Sequence, residues 1–277
     1  MGCFSQGSGN GYMHLAQQNF GDLDERGVAQ RIEAKYLVSE YQAAAIRDYI
    51  QPYMKPDPYG MEYPVNSLYL DSPDLRMCVS SDLGEKNRHK LRLRWYEDNP
   101  GRPVTFEIKQ RINQILKKQR AVVDREHAPR ILSGGLISPD LLAKRTTDGL
   151  NNLYRFRDLM ESMTASPRVA VRYMREAYVS SLEEPIRVTF DRRIECMPCD
   201  TFHPEGAIEG TWTALDAFPV VLEIKFTDTY PSWVKQLICR YHLLRDSVAK
   251  YVVCVDALER IGHPIAGQSR GRLQWSI

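Results

Sequence analysis

Charged residues recur in this chain at a spacing of two: Glu33 with Lys35, Arg92 with Arg94, Glu107 with Lys109, and Glu223 with Lys225. In an extended chain, residues i and i+2 point to the same side, so each pair shares a strand face. The tetrapeptides Phe106-Glu107-Ile108-Lys109 and Leu222-Glu223-Ile224-Lys225 nearly repeat each other. Arginine binds phosphate oxygens through a planar fork and lysine as a point charge, and a carboxylate can hold a divalent metal that bridges phosphates. Turned into a lumen, such faces would suit a polyanion.

Strands must position these groups. Arg31 to Val38 alternates Ile32, Ala34 and Tyr36 against Arg31, Glu33 and Lys35. Ser39 and Gln42 then form an S-x-x-Q capping box that opens a helix. Val65 to Asp71, Lys90 to Tyr96, Val104 to Arg111 and Ile115 to Val123 read as further strands. Asn99-Pro100-Gly101-Arg102-Pro103 is turn chemistry that makes a hairpin of the middle two. Ser138 to Met163 has helical spacing. Strands resume at Val169 to Val179, Ile186 to Ile194 and Val220 to Phe226. A helix over Ser232 to Leu244 follows, and Lys250 enters a final apolar stretch, Tyr251 to Val255. Alternation leaves two arrangements open. The charged faces can be the solvated side of an antiparallel sheet, or they can point into the lumen of a closed barrel whose apolar faces pack under helices.

Composition narrows the function classes. The chain has 277 residues, with 43% hydrophobic and 26% charged residues, an ordinary globular balance. With 37 basic and 35 acidic residues the formal charge is +2, which does not fit a general nucleic-acid binder. There is no apolar run long enough for a transmembrane helix. One folded unit is expected over 30–260, with a flexible tail over 1–29 and another over 261–277. The six cysteines are scattered and read as reduced thiols of a cytoplasmic protein. Met1-Gly2-Cys3 hints at acylation, but Gln6 departs from the pattern. Cys196-Met197-Pro198-Cys199 with His203 is at most half a zinc site and reads as a strand end with two thiols. No P-loop or dinucleotide fingerprint is present.

A series of short motifs runs in a fixed order. It comprises Glu33-Ala34-Lys35-Tyr36, Ser67-Leu68-Tyr69-Leu70-Asp71, Leu91-Arg92-Leu93-Arg94-Trp95-Tyr96 and Phe106-Glu107-Ile108-Lys109. Val171-Arg172-Tyr173, Arg187-Val188-Thr189-Phe190-Asp191 and Leu222-Glu223-Ile224-Lys225 follow, then Pro231-Ser232-Trp233-Val234-Lys235 and Ser247-Val248-Ala249-Lys250-Tyr251. Over about Gln30 to Ala257 this resembles the VTC domain, the catalytic domain of the vacuolar transporter chaperone polyphosphate polymerase. That domain belongs to the triphosphate tunnel metalloenzymes, with CYTH-type triphosphatases as relatives.

The resemblance implies an α+β fold, an antiparallel β-barrel tunnel with flanking helices. It implies that Lys35, Arg92, Arg94, Lys109, Arg172, Lys225 and Lys250 act on the phosphates, with Lys117 or Lys118 and Arg187 as further substrate contacts. Glu223 matches the metal-binding glutamate, with Glu107 and Glu33 as additional candidates. Arg175 and Asp191 lie on matching strands without an assigned role. The implied cofactor is magnesium or manganese, and the implied partners are ATP, inorganic polyphosphate and a membrane-protein subunit, with no nucleic acid. The family's eukaryotic enzymes carry an SPX regulatory domain, which these residues do not show. Tunnel triphosphatases carry Glu-x-Glu-x-Lys, and this chain has Arg31 at the first position. The expected reaction is transfer of the ATP γ-phosphoryl group to a growing polyphosphate. A tunnel triphosphatase and a non-catalytic polyphosphate-binding module are the alternatives.

Overall fold

A computed structural model of the chain describes residues 31–113, 115–181, 185–206, 208–215, 219–227, 230–263 and 265. The tail expected over 1–29, and most of that over 261–277, lies outside the described residues. The strands are β1 (Arg31–Val38), β2 (Met54–Pro56), β3 (Glu62–Asp71), β4 (Asn87–Trp95), β5 (Val104–Ile112), β6 (Ile115–Val123), β7 (Ser166–Ser180), β8 (Arg187–Pro198), β9 (Thr213–Ala214) and β10 (Val220–Thr227). They form one large sheet in the order β1-β10-β8-β7-β3-β4-β5-β6, with β2 on β7 and β9 on β8. The ladders are antiparallel. The helices are α1 (Glu40–Ile50), α2 (Arg76–Asp82), α3 (Ala128–Leu132), α4 (Thr147–Ser162), α5 (Ser232–Arg240) and α6 (Lys250–Arg260). The fold is α+β, a large antiparallel sheet with flanking helices, as expected.

The chain divides into two compact units. The first contains β1, β10, the Met174–Ser180 part of β7 and the Arg187–Arg192 part of β8. Its α1 starts where the sequence places it. The Ser39 hydroxyl accepts from Gln42 N at 3.1 Å and Ser39 N donates to Gln42 Oε1 at 3.0 Å, satisfying two amides the helix cannot pair itself. Ala43, Ile46 and Ile50 of α1 and Trp233, Val234 and Leu237 of α5 pack on Tyr36, Val188, Leu222 and Ile224. Burying each large side chain contributes roughly 1.5–3 kcal/mol. The opposite face is not solvated: Glu223 is 5% exposed, Thr189 2% and Asp191 0%.

The second unit contains β4, β5 and β6. Asn99 ties the β4–β5 turn. Its side chain accepts from Gly101 N at 2.9 Å and its carbonyl from Arg102 N at 3.0 Å, the local turn chemistry that asparagine favours. Leu91, Leu93, Phe106, Ile108 and Ala121 face Leu153, Phe156 and Met160 of α4. Phe106 meets Phe156 edge-on, with ring centres 5.0 Å apart. Again the second face is covered, with Glu107 3% and Arg94 7% exposed. Of the two arrangements that alternation left open, a freely solvated charged face does not describe either unit.

Two expected helices are shorter than their apolar spacing suggests. Instead of one helix over 138–163, a 3-10 turn at Pro139–Leu141 precedes α4. Between them Asp124 N donates to Leu141 O and Ala143 N to Val122 O, so these residues extend along the end of β6. Helix α4 begins only at Thr147, where the Thr146 hydroxyl accepts from Gly149 N at 3.0 Å. Helix α5 stops at Arg240 rather than 244. His242 adopts φ 49°, Leu243 N donates to Ile238 O and His242 N to Cys239 O. This is a Schellman closure with histidine in the place glycine usually takes. The apolar stretch Tyr251 to Val255 lies in helix α6.

Candidate functional site

In the first unit β1 and β10 pair so that Glu33 is opposite Lys225 and Lys35 opposite Glu223. Acid and base alternate across the ladder. The Lys35 ammonium is 3.0 Å from Glu33 Oε1 and donates to Val248 O at 3.2 Å. The Lys225 ammonium lies 4.0 Å from Glu33 Oε2 and contacts Glu223 Oε1 more closely. Burial and the Glu33 charge push the Glu223 carboxyl up, but Lys225, Lys35 and Arg175 outweigh them and hold it down at about 2. Burial lowers the Lys225 ammonium despite Glu223 and Glu33. The Arg175 fork of β7 grips the fully buried Asp191 of β8 at 2.6 and 2.8 Å. Arg187 is held by the Asp57 carboxylate and the Tyr63 hydroxyl, each at 2.8 Å.

In the second unit Glu107 gathers the cations. Arg92 Nε donates to its Oε2 at 2.7 Å, and Lys118 Nζ and Arg120 Nε lie 2.6 and 3.2 Å from its Oε1. Burial would raise this carboxyl, but Arg92, Lys118, Arg94 and Arg120 hold it well below the usual carboxylate range. Burial pushes the Lys118 ammonium down in turn, and the neighbouring arginines add to this. Arg94 reaches the Ser67 hydroxyl at 3.3 Å and the Tyr173 hydroxyl at 3.2 Å. Arg92 NH1 donates to the Tyr69 hydroxyl at 3.2 Å. Against its burial, Tyr69 is lowered by Arg92, Arg94 and Lys250, which marks a strongly positive local field.

Lys250 opens α6 and lies 4.9 Å from the centre of the Tyr173 ring. Its helix is anchored one residue on. Tyr251 stacks on Tyr69 at 4.6 Å and donates to Asp71 Oδ2 at 2.9 Å. Asp71 also accepts from the amides of Met77 and Cys78 at the start of α2. Arg172 is bound to Glu195 at 2.5 Å and stacks over Trp212 at 4.2 Å.

Pairing decides between the two adjacent lysines of β6. Lys118 is opposite Lys109, whereas Lys117 is opposite Gln110 and lies on the other face. The geometry brings Lys118, and not Lys117, to Glu107. Arg120, Tyr69 and Tyr173 join the cluster without having been assigned to it from sequence. Strand alternation places Arg120 with Lys118, but only the register shows which carboxylate they share.

Cys196 ends on β8, buried, with its thiol 3.7 Å from Cys254 O. Cys199 donates to Thr201 O. Among the described residues no three His, Cys, Asp or Glu side chains gather in a metal-binding group. Magnesium, however, is usually held by one or two carboxylates together with the substrate's phosphates. Glu223 and the adjacent Glu33 supply that donor set. Glu223 Oε1 is buried and, beyond its contact with the Lys225 ammonium, has no hydrogen bond. Glu107 is committed to three cations and reads as their organiser.

Each unit thus carries lysine and arginine gathered about a buried carboxylate, Glu223 in the first and Glu107 in the second. The VTC domain matches residues 30–259, and the chain belongs to that family. Family membership ties it to polyphosphate and phosphoanhydride chemistry. No curated protein matches the chain. Among solved structures, a protein of Bacillus halodurans described as a candidate adenylate cyclase is 11% identical, with a TM-score of 0.44 over 84% of this chain and 97% of its own. A Hippeastrum adenylyl cyclase homologue described as having a dominant triphosphatase activity is 17% identical, with a TM-score of 0.45 over 82% and 96%. The PH1819 protein of Pyrococcus horikoshii is 10% identical, with a TM-score of 0.43 over 82% and 99%. Among the described residues no helix is long and apolar enough to cross a membrane.

Proposed function

We propose that this chain is a metal-dependent polyphosphate polymerase that transfers the γ-phosphoryl group of ATP to the end of a growing polyphosphate in the tunnel that the resemblance implies. The observation that carries this reading is the covered cationic face around Glu107, where Arg92 and Lys118 flank one buried carboxylate and Arg94 lies beside them. A solvated surface would not need such an arrangement, and a phosphate chain would use it.

In the reaction the bond from the γ-phosphorus to the β–γ bridging oxygen breaks. A bond from that phosphorus to a terminal polyphosphate oxygen forms, and ADP leaves with the bridging oxygen. The nucleophile is already anionic, so no strong general base is required. Positioning and charge neutralisation carry the catalysis. Arg92 and Arg94 present forked donors from one strand. Lys35, Lys109, Lys225 and Lys250 add point charges, and Arg172 a further donor. Arg187, engaged by Asp57, would bind substrate only by exchanging that partner. Glu223 with Glu33 would hold magnesium or manganese, which when bound neutralises phosphate charge.

The test is an incubation with ATP and manganese, with and without a pyrophosphate primer, resolving products on a gel and quantifying ADP and orthophosphate. A polyphosphate ladder with matching ADP is the expected result. Orthophosphate without a ladder would replace the polymerase by a triphosphatase. Binding without turnover would leave a polyphosphate-binding module.

A further inference from the structure

The register of β4, β5 and β6 carries the cationic face beyond the residues assigned above. Arg88 is opposite Arg111, and Lys90 is opposite Lys109, which in turn is opposite Lys118. Arg92, Glu107 and Arg120 form the next row. By alternation these positions share one face. Like charges placed directly across a ladder are destabilising, yet here two successive rows are built of them. Arg88 and Arg111 are close enough that each opposes the other's charge: burial lowers the Arg88 guanidinium first, and Arg111 lowers it further. The hydrogen bonds shown for these two arginines are to neutral carbonyls, and the Glu85 charge offsets that of Arg88 less than Arg111 opposes it. Arg88 donates to Glu85 O, and Arg111 to Asn113 O at 2.9 Å. Both charges therefore remain available to an anion.

Length makes the arrangement informative. A strand advances about 3.4 Å per residue, so Arg88 lies about 14 Å from Arg92 and about 20 Å from Arg94 along β4. A triphosphate seated on Arg92 and Arg94 leaves the Arg88–Arg111 row to a longer chain.

We propose that Arg88, Lys90 and Arg111 form a second phosphate subsite, continuous with the Arg92–Arg94 row, that binds the distal part of a polyphosphate chain and discriminates long chains from triphosphates. The inference rests on the polyphosphate reading of the same face.

The test measures dissociation constants of the full chain for tripolyphosphate and for polyphosphate of about a hundred phosphates, over a series of salt concentrations. Wild type is compared with Arg88→Gln, Lys90→Gln, Arg111→Gln and the triple variant. The expected result is that the triple variant binds the long chain at least tenfold more weakly and with a shallower salt dependence, by the counterion-release logic of polyanion binding. Tripolyphosphate affinity should stay within twofold of wild type. Single variants, each removing one charge, give graded effects and guard against a triple variant that fails to fold. Equal loss for both ligands, or none for either, overturns the subsite while leaving the polyphosphate reading intact. A wild type that binds neither anion overturns both.

Discussion

Glu107 and Glu223 are the residues on which the two cationic clusters turn, and their environments give them different duties. Glu107 sits among Arg92, Lys118 and Arg120 and balances them. Glu223 faces Lys35 across the ladder, with Glu33 nearby. Replacing Glu223 with Gln should abolish turnover and, because the carboxylate's ion pairs are lost, lower the melting temperature near neutral pH while the chain still folds. Near-normal, metal-dependent activity in that variant would remove Glu223 from the metal site. Both carboxyls also set an acid limit. Each is lowered in the folded chain, Glu223 to about 2 and Glu107 well below its ordinary value of 4.5. Groups lowered in the fold contribute stability that is fully present above the unfolded value and is lost as pH falls towards the folded one. Denaturant melts should therefore show stability flat near neutrality and declining from about pH 4.5 downwards. Glu223→Gln should flatten the part of that decline lying between 4.5 and 2. An unchanged pH profile in the variant would deny the carboxylate its ion pairs. At this scale the sequence was informative, because the i, i+2 spacing already grouped Glu33 with Lys35 and Glu223 with Lys225. It gave Tyr69, Tyr173 and Arg120 no role in the cluster, because their partners, Arg92, Arg94 and Glu107, emerge only from the folded chain.

Strands were easier to read than helices, and the reason is physical. β1 begins and ends at the residues where alternation begins and ends, since a two-residue period is interrupted at once by a turn, and β6 keeps its expected bounds although its sequence does not alternate. Helical spacing has no such punctuation. Leu141 and Leu142 fit the α4 pattern, yet Leu141 closes a 3-10 turn and Leu142 is extended beside β6, both buried, because Val122 and Asp124 offer backbone partners that a sequence does not display. In α5 the stop lies in His242, whose left-handed backbone carries no glycine signal. Register is the other hidden quantity, and the like-charge rows of β4–β6 depend on it. Relieving one row should stabilise the free protein. Arg111→Gln removes the repulsion with Arg88, about 0.2–1 kcal/mol by the usual cross-strand scale, or a rise of roughly 0.3–2 °C in melting temperature for a chain of this size. A scanning melt without anion checks it, and a fall in melting temperature would mean that Arg111 is held by contacts that outweigh its repulsion.

For the whole molecule the net charge of +2 conceals how the charge is sorted. Anion binding by a near-neutral protein ought to depend little on ionic strength if the charges were evenly mixed. If the sorted faces bind the anion, salt dependence will instead report the local cations. Protons give a second, independent readout. Burial holds Lys118 and Lys225 below the ordinary lysine value, so as pH rises they lose their charge earlier than a free lysine does. A bound polyphosphate favours the charged ammonium and raises both values, so binding must take up protons. Above neutrality the affinity should fall as pH rises, the direction set by deprotonation of the free lysines. Titration calorimetry in buffers of different ionisation enthalpy measures this uptake directly. In Lys118→Arg and Lys225→Arg, where the charge is fixed by a guanidinium, the uptake should shrink while binding at high pH persists. Binding that exchanges no protons in the wild type would mean that the polyanion does not reach Lys118 or Lys225, and the phosphate path would have to be redrawn without them.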